Sequence, residues 1–205
     1  MDNYQAQLAS SVAYSDTVMD ETTYLTGHLL IAMPSMADPN FHHTVTYICE
    51  HNEHGALGLI INRPLDIDLG EVFQQLSLPS TSDNIANTPI LRGGPVELER
   101  GFVIHESTDE WESTAIVRDS IKVTTSQDIL SAMAAGDGPN RAVVVLGYAG
   151  WGAGQLEYEI IENAWLNTPA ATHIVFETPF EQRWQEAAEL IGIDLATIST
   201  QAGHA

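Results

Sequence analysis

The stretch Gly147 to Gln155, GYAGWGAGQ, packs four glycines and two aromatic side chains into its first eight residues, directly after the apolar run Ala142 to Leu146. Glycine turns at the end of a strand can bring backbone amides against a ligand, and three known chemistries use them. A phosphate loop needs Lys and then Ser or Thr after its last glycine, but Gln155 and Leu156 follow Gly154. The dinucleotide pattern G-x-G-x-x-G fails because Gly150 and Gly152 are followed by Gln155 at the third position. A nucleophile elbow would need Ser where Trp151 stands. Glu157, Glu159 and Glu162 suit a helix N-terminus and would repel a phosphate held there. Two readings remain open. Either Tyr148, Gly150, Trp151, Gly152 and Gln155 line a ligand site, or the glycines let backbone segments pack closely while the aromatics fill space.

The scarce cations offer a second chemistry. Arg63 follows Asn62 in NRP, Arg92 precedes Gly93 and Gly94 in RGGP, and Arg100 opens RGFVIH, so three of the seven basic residues sit in glycine or proline turns. They could build a local positive pocket for a carboxylate or phosphate, or pair with some of the 28 carboxylates. Cys49 to His54, CEHNEH, has the composition of a metal site, but zinc needs three or four ligands and no second cysteine exists. His42 and His43, if on a strand, would point to opposite faces. No metal or other cofactor is expected. Cys49 and His105 are the candidate reactive groups, as nucleophile and as acid or base, against the alternative of a small buried thiol and a satisfied strand-end histidine.

These residues need elements to position them. Gly27 to Met33 reads as a buried strand ending at Pro34, and Thr44 to Glu50 pairs with Ala56 to Asn62 as a hairpin through HNEHG. Asp68 and Glu71 resemble a capping box for a short helix through Leu76, Pro79 to Pro89 reads as a polar loop, and Arg92 to Pro95 as a tight turn. Gly101 to His105 and Ser113 to Val117 read as strands, and Thr125 with Asp128 opens a helix through Met133 that stops near Gly136. Ala142 to Leu146 has the β-branched run of a strand covered on both faces. Leu156, Ile160, Ile161, Ala164 and Trp165 predict a helix that ends at Asn167 to Pro169. Thr172 to Phe176 reads as a strand, and Thr178, Pro179 and Glu181 open a last helix closing at Gly192. Strands and helices interleave with hairpins among them, which predicts an α/β fold with α+β character and a mixed sheet. Residues 25–195 form one domain on this reading, with polar tails at 1–24 and 196–205.

Composition narrows the function. A formal charge of −21 on 205 residues repels phosphate backbones and anionic lipid, and one lysine with six arginines is little material for a basic patch. Direct nucleic-acid binding is therefore not expected. A single cysteine excludes an intrachain disulfide, the first 24 residues carry no Lys, Arg or apolar core of a leader, and no apolar run approaches a membrane span. The expectation is a cytoplasmic protein without a membrane segment.

Eight blocks in order resemble the AlgH/YqgE family of bacterial proteins: GHLLIAMPSM from Gly27, DPNF from Asp38, YICEHN from Tyr47, GALGLIINRP from Gly55, LRGGPV from Leu91, RGFVIH from Arg100, TTSQDIL from Thr124, and GYAGWGAGQLE from Gly147 on through ENAWL. The resemblance spans about Leu25 to Leu195. It implies a three-layer αβα arrangement with a smaller α+β portion, and it brings a family label of transcriptional regulator that the charge argues against. The reading favoured by the residues is a non-catalytic, regulatory protein that binds an unidentified small molecule or protein partner. The alternatives are a hydrolase or transferase using Cys49 or His105, and a direct transcriptional regulator.

Overall fold

A computed structural model describes residues 24–118, 120–195 and 197. The expected tails, 1–24 and 196–205, lie outside the described residues except at Tyr24 and Thr197. In chain order the elements are β1 (His28–Ala32), β2 (Val45–Asn52), β3 (Gly55–Ile60), β4 (Pro64–Asp68), α1 (Leu69–Gln75), α2 (Asp83–Ala86), β5 (Pro89–Arg92) and β6 (Val96–Glu106). There follow β7 (Thr114–Arg118), β8 (Ile121–Thr124), α3 (Asp128–Ala135), β9 (Arg141–Gly152), α4 (Gln155–Ile161), β10 (Trp165–Pro169), α5 (Thr172–Phe176) and α6 (Arg183–Glu189). The class is α+β, a curled sheet of ten strands with a few short helices among the described residues. Its order is β10-β1-β2-β3-β9-β6-β8-β7, with β4 joined to β5, and β5 joined to β9 in the one parallel pairing among the described residues.

Alternation along the strands sends side chains into cores on both faces. Leu29 and Ile31 join Tyr47, Leu59 and Val145 beneath Ile174 and Val175 of α5 and Ala187 and Ala188 of α6. Leu30 and Ala32, one residue out of phase, pack on the opposite face with Trp151, Trp165 and Leu156 of α4. A further cluster joins Leu69 and Phe73 of α1 to Ile129 and Met133 of α3 over Val103 and Val144. Asp68 caps α1 as its spacing predicts, its carboxylate accepting from the Glu71 amide at 3.0 Å.

Strand β9 organises the sheet, and it departs from the expected strand, glycine turn and helix. It does not stop at Leu146 but runs through Gly152, and the turn is only Ala153–Gly154. Gly147 adopts φ 75, open chiefly to glycine, and shifts the alternation by one residue. Before it, Val143 and Val145 face the α5/α6 core; after it, the odd-numbered Ala149 and Trp151 face the other. The helix after the turn is also shorter than its periodicity predicts. Asn163 at φ 58 ends it, and Trp165–Pro169 becomes edge strand β10 against β1. Thr172–Phe176 is helical rather than extended, because β10 already occupies that edge of β1 and Ile174 and Val175 both enter the core. The polar loop holds the four-residue α2, and β8 completes a hairpin with β7 that periodicity left unassigned. At the start of α3 the side-chain contacts come from Ser126 and Asp128, with Asp128 accepting from the Ile129 and Glu112 amides, and not from Thr125.

Candidate functional site

The two glycine motifs meet each other. The Gly93 amide donates to the Leu146 carbonyl at 2.7 Å, and the Ile60 amide donates to the Gly93 carbonyl at 2.8 Å. A Cβ on Gly93 would stand 2.3 Å from the Gly147 carbonyl oxygen, and one on Gly94 2.1 to 2.3 Å from backbone atoms of Tyr148 and Ala149. RGGP thus threads past the bend in β9 at a separation only glycine permits. Gly150 and Gly152 are different, with open space where a Cβ would go out to 3.5 and 3.8 Å.

The two aromatic side chains of GYAGWGAGQ do not share a surface. Tyr148 packs toward the α5/α6 core, edge to Phe102 at 6.0 Å, with the Arg100 guanidinium 5.9 Å above its ring. Trp151 points to the opposite face, where its indole N–H donates to Glu159 Oε2 at 2.9 Å. The Trp165 indole donates to the same oxygen at 2.8 Å, and Gln155 Nε2 donates to Glu159 Oε1 at 2.9 Å. Gln155 Oε1 in turn accepts from the Gly152 amide at 3.0 Å. Glu159 is the hub sequence reasoning missed; its i,i+4 spacing from Gln155 was the available signal. Trp151 also floors an open depression of about 260 Å³ bordered by Glu50, Asn52 and His54.

Asn62, Arg63 and Arg92 do come together. Asn62 accepts from the Val45 amide through Oδ1 and donates to the His43 carbonyl through Nδ2, each at 2.9 Å. Arg63 donates from Nη1 to the Pro39 carbonyl at 2.9 Å and from Nη2 to the His42 carbonyl at 2.6 Å. The NRP turn therefore holds the DPNFHH loop. Across from it, Pro64 pairs with Leu91 and the Arg92 amide donates to the Arg63 carbonyl at 2.8 Å, which sets Arg63 and Arg92 opposite one another. Arg92 is exposed, and among the described residues its side chain makes no hydrogen bond or ion pair. Burial and then the nearby Arg92 charge hold Arg63 below the usual arginine range, while Asp38 acts the other way. Like charges facing across strands are destabilising by up to about 1 kcal/mol. His42 and His43 sit in the turn before β2, not on the strand, so their rings stack at 3.8 Å instead of pointing apart; His43 stacks on Trp184 at 4.0 Å.

The candidate reactive residues lie apart. Cys49 on β2 and His105 on β6 are separated in the sheet by β3 and β9, three strand spacings or roughly 14 Å. The Cys49 thiol is half-buried against the α5/α6 core, and desolvation, then Glu50, raises its pKa, opposite to what a nucleophile at neutral pH requires. His105 is fully buried, edge to Trp111 at 4.8 Å, with Nε2 2.8 Å from Thr124 Oγ1. Thr124 lies 2.7 Å from Thr114 Oγ1, which donates to the Trp111 carbonyl at 3.0 Å. That direction assigns the ring proton to Nε2 and leaves Nδ1 enclosed as an acceptor without a partner. Burial, then Lys122, lowers His105 to about 4.

Within CEHNEH, His51 is buried, accepting from the Leu25 amide at Nδ1 (3.0 Å) and donating from Nε2 to Glu157 (3.1 Å), while His54 stands exposed at the hairpin turn. Among the described residues no three His, Cys, Asp or Glu side chains gather as a metal centre requires. Arg183, which the spacing did not single out, is buried and donates to the Thr178 and Ile61 carbonyls at 2.8 and 2.6 Å. No helix among the described residues is long and apolar enough to cross a membrane.

Comparison with known proteins places this geometry among relatives. The sequence model of a family described as AlgH-like matches residues 29–196. A UPF0301 protein of Nitrosococcus oceani is 49% identical over 187 residues, covering 91% of this chain and all of the relative. Another, from Thioalkalivibrio sulfidiphilus, is 52% identical over 187 residues with the same coverage, 91% and 100%. Among solved structures, the AlgH protein of Pseudomonas aeruginosa is similar with a TM-score of 0.74 and 49% identity, over 92% of this chain and 100% of that one. A protein of Corynebacterium diphtheriae at 20% identity shares the fold, with a TM-score of 0.67 over 88% of this chain and 94% of its own.

Proposed function

From the premise that the chain belongs to the AlgH-like family, we propose that it is a non-catalytic, regulatory protein that binds a small molecule or a protein partner. The observation that carries this reading is the Arg63–Arg92 pair. In a chain with 28 carboxylates and 7 basic residues, two arginines set opposite one another in register, without an ion pair among the described residues, are a stability cost that a bound group would remove. Asn62 and Arg63 form one side of the surface and Arg92 the other, with His42 and His43 beside them. Gly93 and Gly94 contribute by packing on β9, which fixes where Arg92 emerges. The separation of Cys49 from His105, and the directions in which their environments shift them, support binding over catalysis.

The same reading takes residues 25–195 as one domain of three-layer αβα character, with α5 and α6 on one face of the sheet and α1, α3 and α4 on the other. It sets the protein in the cytoplasm and away from direct nucleic-acid contact, supported by the single cysteine and the charge of −21.

The test is a ligand panel of anionic, neutral and cationic small molecules read by thermal shift on the wild type and Arg92→Gln, beside turnover assays on phosphate and acyl esters. A stabilising ligand whose effect needs Arg92, with no turnover, is expected. Hydrolysis of an ester that disappears in Arg92→Gln would overturn the reading.

A further inference from the structure

Building on that binding reading, we infer that the group received between Arg63 and Arg92 is a dianionic phosphate, either free or as a monoester. Charge balance selects it. Arg63 and Arg92 stand opposite one another in the β4/β5 backbone register, the Arg92 charge acts on Arg63, and among the described residues neither makes an ion pair, so a carboxylate, with one negative charge, leaves one of the two uncompensated. A phosphate monoester carries about −1.5 to −2 near neutral pH and balances both.

The donors are suited to it as well. Arg63 commits Nη1 and Nη2 to the Pro39 and His42 carbonyls, which fixes the guanidinium plane and leaves Nε–H unengaged by those bonds. Arg92 keeps its whole donor fork, so one arginine is pre-positioned and the other adapts. The stacked rings of His42, His43 and Trp184 border the Arg63 side and rest on a buried anchor, since the Trp184 indole donates to the Ala32 carbonyl at 2.8 Å. Against this stands the acidic field of the chain. At physiological salt the Debye length is about 8 Å, so distant carboxylates are damped and the local charges dominate. Asp38 is the local exception. It acts on Arg63, and its Oδ1 is held by the Asn40 amide at 2.8 Å, so it weakens the site without filling it.

The experiment titrates the full-length protein with inorganic phosphate, phenyl phosphate and acetate at a matched ionic strength of about 0.15 M, following backbone amide and arginine Nε–H resonances. Saturable shifts at Arg63 and Arg92 are expected for both phosphates, and clearly weaker ones for acetate. Arg92→Gln is expected to weaken phosphate binding about tenfold, the loss of one charge-assisted contact. Arg92→Lys, which keeps the charge and loses the fork, falls between, and it carries the test should the glutamine variant fold poorly. Asp38→Asn tightens binding, and Arg141→Gln, on a surface pair with Glu106 and Glu177, leaves it unchanged. Phenyl phosphate binding more tightly than inorganic phosphate identifies a monoester, and the reverse identifies the free ion. No saturable response to either phosphate, a response indifferent to Arg92, or acetate binding as well as phosphate would each overturn the inference. If a carboxylate or neutral ligand then shows Arg92-dependent binding, the broader binding reading stands; if no ligand does, both fall.

Discussion

The Gly93 amide donates to the Leu146 carbonyl, and a Cβ placed on Gly93 would stand 2.3 Å from the carbonyl oxygen of Gly147. Two motifs remote in sequence are therefore locked backbone against backbone. This contact accounts for Gly93, Gly94 and Gly147 but not for Gly150 and Gly152, so the glycines of the second motif have unequal roles.

Gly93→Ala and Gly94→Ala are expected to destabilise by about 4 kcal/mol or more, or to prevent folding, because the added carbon meets backbone that cannot move aside. Gly150→Ala and Gly152→Ala, whose nearest neighbours are side-chain atoms at 3.5 and 3.8 Å, should stay within about 0.5 kcal/mol of wild type. Urea denaturation separates the two groups. Equal losses at all four positions would mean that the close approach is not what these glycines serve.

Glu159 joins two indoles and an amide through one carboxylate. Glu159→Gln keeps the size but replaces an acceptor oxygen by an NH2 that faces donors, and about 1 to 3 kcal/mol of stability should be lost. Tryptophan emission should shift to the red as Trp151 and Trp165 loosen. An unchanged spectrum and midpoint would show that the indoles hold their places by packing alone.

His105 should contribute to acid sensitivity. Its pKa falls from 6.5 in the unfolded chain to about 4 in the fold, chiefly through burial. Above pH 6.5 both states are neutral and the stabilisation is fully present. As pH drops from 6.5 toward 4 the unfolded chain takes up a proton that the folded chain refuses, so stability falls, by up to on the order of 3 kcal/mol. The difference between wild type and His105→Gln across that interval isolates the effect from the carboxylates. A difference that does not vary with pH would contradict it.

Removing either member of the Arg63–Arg92 pair should have opposite consequences. Arg92→Gln is expected to raise stability by a few tenths of a kcal/mol at low salt, since only repulsion is lost. Arg63→Gln should cost about 1 to 2 kcal/mol because the Pro39 and His42 carbonyls lose their donors. The double-mutant cycle should show a repulsive coupling that fades at high salt. Attraction, or a coupling insensitive to salt, would refute the facing-charge geometry.

Local patterns carried much of the fold. Alternation placed the β2/β3 hairpin, Asp68 and Glu71 marked the start of α1, and the β-branched run identified the central strand. These are contacts within one turn or one strand, where side-chain type and spacing are sufficient. Trp165–Pro169 and Thr172–Phe176 depart from their local patterns for the opposite reason. Each is short, and its state depends on which edge of β1 is vacant and which core needs filling, information held by other segments.

The site divides in the same way. The sequence by itself determined that the chain is strongly acidic, that three of its few arginines sit in glycine or proline turns, that GYAGWGAGQ fits neither the phosphate-loop, the dinucleotide nor the nucleophile-elbow pattern, and that the chain resembles the AlgH-like relatives. Only the tertiary structure decided that Arg63 faces Arg92, that Cys49 and His105 stand three strands apart, and that Tyr148 and Trp151 serve opposite faces. The reason is physical. Residue type fixes charge and conformational range, but register and the bend at Gly147 are set by hydrogen bonds to strands distant in the chain, and these decide which side chains share a surface.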